Sequence, residues 1–134
     1  MNVVDTCGWL EFFAGDDNKE FFRAPLEDVE HLIVPSITVY EVCRKFVHWQ
    51  GEKAAQTALS FMKKGQIVDL TADQLLAASL AAKTYKLAMA DAIIWQTAQV
   101  HQAKLFTQDI DLKGLPNVKF KAKPLATPIA KEKP

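Results

Sequence analysis

Lys86-Leu-Ala-Met-Ala-Asp91-Ala-Ile-Ile-Trp95, followed by Leu105-Phe-Thr107-Gln-Asp109, is the stretch on which the reading of this chain turns. It sets one carboxylate at the start of a helix, about Met89 to Ala103, that is apolar nearly all the way round. A second carboxylate falls just past the short strand Lys104 to Phe106. A helix apolar on every side is buried, so Asp91 is expected at the edge of a core. A carboxylate leaving water is stabilised by a partner, by hydrogen bonds or by a metal ion, and otherwise takes up a proton. No Arg or Lys stands one turn away at 87, 88, 94 or 95. Taken alone, Asp91 reads equally well as a first-turn acid facing the helix dipole, an arrangement worth about 0.3–1 kcal/mol.

Outward from that stretch, strands and helices alternate. Asn2 to Asp5 reads as a strand, with Thr6 capping a helix that carries Trp9, Leu10, Phe12 and Phe13 until Gly15 breaks it. A second short helix holds Phe21 and Phe22 and is expected to stop before Pro25. His31 to Val34 is a further strand, and Ser36 is the expected N-cap of a helix running to Gly51. Glu52 to Lys64 forms the next helix, and Gln66 to Asp69 the next strand. Thr71-Ala-Asp-Gln74 matches a capping box opening a helix to Tyr85, and Val118 to Phe120 reads as an edge strand. Strands separated by helices indicate parallel βαβ units. The expected class is α/β in three layers, a central parallel sheet of four to five short strands flanked by helices. One domain is expected over residues 1–120, with a flexible Lys- and Pro-containing tail over 121–134.

The totals agree with a globular domain: 134 residues, 49% hydrophobic and 24% charged. Lys plus Arg (16) balance Asp plus Glu (16), so the strongly basic footprint of many nucleic-acid binders is absent. Charge neutral in sum can still be segregated in space. Met-Asn-Val-Val-Asp lacks a secretory pattern and no apolar run reaches the length of a membrane span, so a cytoplasmic protein is expected, with no membrane association. Cys7 and Cys43 are expected to be free thiols, small buried hydrophobes rather than nucleophiles. His31, His48 and His101 show no zinc-ligand spacing with them.

In open parallel sheets the functional crevice lies at the carboxyl ends of the strands. Asp5 and Asp109 fall just past such ends, and Glu41 and Asp91 fall early in helices that begin at the same edge. Four acids are therefore expected to converge on one rim. Unpartnered, they repel, and at least one has its pKa raised. Oxygen-only ligation suits a hard divalent ion, Mg²⁺ or Mn²⁺. Such an ion activates water for in-line attack, which implies hydrolysis of a phosphodiester.

Val-Val-Asp5-Thr6, Ser36 followed five residues on by Glu41, Met-Ala-Asp91-Ala-Ile-Ile and Leu-Phe-Thr107-Gln-Asp109 together resemble, in order and spacing, the four motifs of the PIN-domain nucleases, particularly the VapC toxins of toxin–antitoxin pairs. The resemblance spans residues 2 to about 120. It implies a PIN-like fold, Mg²⁺- or Mn²⁺-dependent endoribonuclease activity on an RNA substrate, a homodimer, and inhibition by a cognate antitoxin protein. It assigns Asp5, Glu41, Asp91 and Asp109 as catalytic, metal-holding acids, and Thr6 and Thr107 as hydroxyls that orient them. The chain departs from the pattern at Cys7, where a small polar residue is frequent, and at Gln108 and Ile110, which replace a frequently basic pairing. Those departures leave open a second reading, a weak or inactive PIN-like domain that binds RNA or a protein.

Arg44, Lys45 and Lys86 are the expected substrate-binding cations, with Lys83 and Lys113 as further candidates for the rim. Asp111 reads as a solvated loop acid and Asp69 as turn chemistry. The aromatics Trp9, Phe12, Phe13, Phe46 and Trp49 exceed what one small core readily absorbs, and some of them suit a dimer face or a groove for an antitoxin helix.

Overall fold

Each of the expected strands is present in the computed structural model, which describes residues 1–125. The order is β1 (Asn2–Val4), α1 (Thr6–Ala14), α2 (Lys19–Glu27), β2 (Leu32–Pro35), α3 (Ser36–Gln50), α4 (Glu52–Met62), β3 (Gln66–Val68), α5 (Ala72–Tyr85), α6 (Met89–Val100), β4 (Lys104–Thr107) and β5 (Val118–Phe120). The strands form one five-stranded sheet in the order β3-β2-β1-β4-β5, and every pairing is parallel. β1 lies in the middle, with Val3 opposite both Ile33 of β2 and Leu105 of β4. The chain builds outward from β1 to β2 and β3, then crosses to the other side of β1 for β4. That reversal opens a crevice at the carboxyl end of β1, where such sheets place their ligands.

Side chains on a strand alternate between faces, and here the alternation separates two cores. Val3, Ile33 and Leu105 pack with Ile94, Trp95 and Ala98 of α6. Val4, Leu32 and Val34 pack with Trp9 of α1, Phe22 of α2 and Val42 of α3. The result is a three-layer α/β sandwich, as its sequence pattern indicates. No helix among the described residues is long and apolar enough to cross a membrane.

Gly8 holds α1 against the sheet. A Cβ at this position would stand 2.6 Å from Val4 Cγ1 and 2.6 Å from Phe22 Cδ1, both core atoms. Gly8→Ala is therefore expected to overpack the core at a cost of about 1–3 kcal/mol. The measurement is urea unfolding, with a lowered midpoint at unchanged slope.

Local signals at several boundaries yield to tertiary ones. Asp5, not Thr6, caps α1, its Oδ1 accepting the Thr6 N–H at 2.8 Å. Pro25 lies inside α2 rather than beyond it: Phe22, Pro25 and Leu26 form the buried stripe of that helix, and packing overrides the local preference. Ser36 is the first residue of α3, with Pro35 in the cap position. His31 belongs to a short 3₁₀ turn, Val29–His31, ahead of β2. β4 runs on to Thr107, and α6 ends at Val100. The capping box of α5 is formed: Thr71 Oγ1 accepts the Gln74 N–H at 3.2 Å, and Gln74 Oε1 accepts the Thr71 N–H at 2.9 Å. Of the tail expected from residue 121, residues 126–134 lie outside the described residues.

Candidate metal centre

Asp5 directly follows the central strand and caps α1, so backbone geometry aims its carboxylate at the crevice. The side chain is only 4% exposed. Its Oδ1 takes the Thr6 N–H, and its Oδ2 accepts the Thr107 hydroxyl at 2.8 Å and the Cys7 thiol at 3.4 Å. Burial raises the Asp5 pKa more than these hydrogen bonds lower it.

Thr107, fully buried at the end of β4, is the hinge pin of the site. Its hydroxyl donates to Asp5 and accepts the backbone N–H of Asp109 at 2.9 Å. Asp109 thereby turns into the crevice, and its Oδ1 caps the following 3₁₀ turn by accepting the Asp111 N–H at 2.9 Å. Asp91 enters from the other side, as the third residue of α6; Ala88, in the cap position of that helix, offers no side-chain acceptor.

One oxygen each of Asp5, Asp91 and Asp109 lies within 4.8 Å of the other two. The Asp91 carboxyl is pushed up to about 7, first by burial and then by the charges of Asp5, Asp109 and Asp111. A proton on Asp91 therefore relieves the repulsion at neutral pH, and a cation can take its place. The donors are all carboxylate oxygens. Cys7, the nearby sulfur, stays a neutral thiol because burial and the adjacent Asp5 push it up to about 12. This donor set fits a hard divalent ion such as Mg²⁺ or Mn²⁺.

Glu41 stands apart from the three aspartates. It rises on α3 from β2, across β1 from β4, and meets Thr6 instead: its Oε1 accepts the Thr6 hydroxyl at 2.6 Å. Glu41 and Thr6 line a cleft of about 550 Å³ together with Cys7, Leu10, Tyr40, Arg44 and Lys45. Two of the expected substrate cations thus stand on the cleft wall. Lys86 does not line it; Lys86 is the left-handed residue (φ 58°) that closes α5. Lys113 lies over the Phe120 ring, 5.3 Å from its centroid. Asp69 accepts a hydrogen bond from Ser36, tying the end of β3 to the start of α3. Asp111 is exposed, yet its charge reaches Asp91.

The aromatics divide between core and surface. Phe13 packs against Trp9, Phe12, Phe46 and Phe61, while Trp49 remains 57% exposed. Glu11 and Asn18 are buried polar residues of the described chain, and both join a network with Gln108. In sequence, Glu11 signals this only as an acid inside the apolar run Trp9 to Phe13; Asn18 sits in a polar loop and gives no sign.

The sequence profile of the PIN domain family matches residues 3–118. No curated protein matches the chain. Among solved structures, a toxin–antitoxin complex from Klebsiella pneumoniae contains a similar chain, 27% identical, with a TM-score of 0.73 over 89% of this chain and 96% of that one. VapC20 of Mycobacterium tuberculosis, described as a Sarcin-Ricin loop cleaving toxin, shares the fold at 16% identity, TM-score 0.69, over 88% of this chain and 98% of that one. VapBC2 from Rickettsia felis, bound to a DNA fragment from its promoter, does so at 17% identity, TM-score 0.66, over 90% and 97%. With the parallel sheet, the acids at its switch point and a profile match over most of its length, the chain belongs to the PIN domain family.

Proposed function

We propose that this protein is a Mg²⁺- or Mn²⁺-dependent endoribonuclease that hydrolyses RNA phosphodiesters and acts in the cytoplasm as the toxin of a toxin–antitoxin pair. The observation that carries the reading is the gathering of one oxygen from each of Asp5, Asp91 and Asp109 within 4.8 Å, at the crevice where the strand order reverses. The cleaving activity named for the M. tuberculosis toxin and the toxin–antitoxin pairing of the Klebsiella chain support it.

Asp5, Asp91 and Asp109 are the residues that would hold the ion. When bound there, it supplies Lewis acidity toward water and a phosphate oxygen. The chain itself supplies orientation and attraction. Thr107 fixes Asp5 against Asp109, Thr6 links Asp5 to Glu41, and Glu41 carries a negative charge to the cleft wall beside the reacting centre. Arg44 and Lys45 offset that charge and attract phosphates into the cleft. The concave patch of Phe13, Phe46, Ala54 and Phe61 is the seat we assign to an apolar segment of the antitoxin. Leu76 and Leu80 of α5, both exposed, suit the contact between two copies in a homodimer.

The test is incubation of the purified protein with an RNA pool in Mg²⁺ or Mn²⁺, with and without a chelator. Cleavage that requires the ion and stops in chelator is the expected result. RNA binding that persists in chelator, with no cleavage under any metal, overturns it in favour of a binding domain.

A further inference from the structure

The three aspartates are held by backbone turns and by Thr107, and Asp109 lies two residues past the end of β4, its backbone N–H on the Thr107 hydroxyl. A second polar cluster lies directly behind it. Gln108 Oε1 accepts from Asn18 Nδ2 at 3.0 Å, and Gln108 Nε2 donates to Glu11 Oε1 at 3.3 Å. Glu11 is 3% exposed and Asn18 1%. The same Glu11 carboxylate accepts the Asn18 backbone N–H at 3.0 Å and the Lys123 ammonium at 3.2 Å. Asn18 Nδ2 also reaches the carbonyl of Ala122 at 3.2 Å. Burial would raise the Glu11 pKa, but the Asn18 N–H, Lys123 and Gln108 outweigh it and hold the group below its ordinary value, so it is an anion.

These contacts have a common geometry. Asp5 caps α1 and Glu11 sits within it; Thr107 and Gln108 are adjacent at the end of β4. Asp5–Thr107 and Glu11–Gln108 are thus two cross-links between one helix and one strand end. One link is a pivot, whereas two fix an orientation. The residue that follows the doubly fixed pair is Asp109. Lys123, from the segment after β5, brings a cation to buried Glu11; among the described residues it is the one ion-pair partner of Glu11.

We infer that Gln108 is a positioning residue, clamped by Glu11, Asn18 and Lys123, that sets where Asp109 stands relative to Asp5 and Asp91. The segment after β5 is thereby part of the support of the metal centre. The inference rests on the metal-centre reading above; groups hydrogen-bonded to metal ligands typically contribute about tenfold or more to affinity, and Gln108 acts on Asp109 through the backbone the two share.

The experiment measures Mn²⁺ binding to the full chain by electron paramagnetic resonance, with no substrate present, for wild type, Gln108→Met and Lys123→Met. Met matches Gln in length and falls one atom short of Lys, and both substitutions remove the polar contacts. The expected result is an Mn²⁺ Kd raised about tenfold in Gln108→Met and severalfold in Lys123→Met, with the double variant no worse than about the first alone. RNA cleavage should lose kcat in parallel, with KM for RNA unchanged. Wild-type protein that binds no Mn²⁺ overturns the metal-centre reading and this inference with it. Saturable wild-type binding with Gln108→Met within about twofold overturns the positioning role alone. Should Gln108→Met fail to fold, Lys123→Met decides, and unchanged Mn²⁺ affinity there overturns the clamp.

Discussion

Asp91→Asn is expected to lower RNA cleavage by at least about 10²-fold, the size of effect that follows removal of one preorganised electrostatic element from an active site. Asn keeps the shape of the side chain and can still hydrogen-bond, so the fold should survive. What it loses is the charge that a divalent ion requires. Asp5→Asn should be equally inactive but less benign: Asp5 is buried, caps α1 through Thr6 and receives the Thr107 hydroxyl, so an amide there must place a donor where only donors already point. The pair of variants therefore separates chemistry from structure. Both should be inactive by cleavage assay, and circular dichroism melts should show Asp5→Asn destabilised and Asp91→Asn not. Full activity in Asp91→Asn would remove that residue from the site.

The metal-free protein should lose stability as pH rises from about 5 to about 8, and Mg²⁺ or Mn²⁺ should restore it at the upper end. The sign follows from Asp91, whose carboxyl stands at about 7 in the folded chain against an ordinary 3.8. A raised folded pKa means that the folded state binds the proton more tightly than the unfolded chain. The resulting stabilisation is complete below the ordinary value and is lost as pH rises through about 7. Asp5, also raised, acts in the same direction. Because Asp91 is partly exposed, solvent screening reduces the effect. A fall of a few degrees in melting temperature is the expected scale. In Asp91→Asn the pH slope should flatten and the rescue by ions should weaken together. A wild-type melting temperature that is flat from about pH 5 to 8 and indifferent to ions would contradict the crowded-carboxylate picture.

Much of the fold is legible in local sequence because its signals act over a few residues. Alternating Val3 and Val4, the Thr71 to Gln74 capping box and the Gly51 break each specify an element through contacts that its own neighbours supply. Pro25 is the instructive exception. Its local preference is to end a helix, yet Phe22 and Leu26 bury the same stripe, and a contact with the sheet outweighs a dihedral preference.

The candidate site divides in the same way. The sequence by itself determined which acids follow strands or open helices, and so expected Asp5, Glu41, Asp91 and Asp109 at one edge of the sheet. Which acids meet there was decided by strand order. β1 separates β2 from β4, so Asp109 reaches the aspartates while Glu41 is turned toward Thr6. The Asp5–Thr107 bond joins positions 102 residues apart, and the Lys123–Glu11 bond joins positions 112 apart. Such contacts leave no period or spacing along the chain. They arise because a buried carboxylate must find donors wherever the packed sheet and helices bring them, and only the tertiary structure decides where that is.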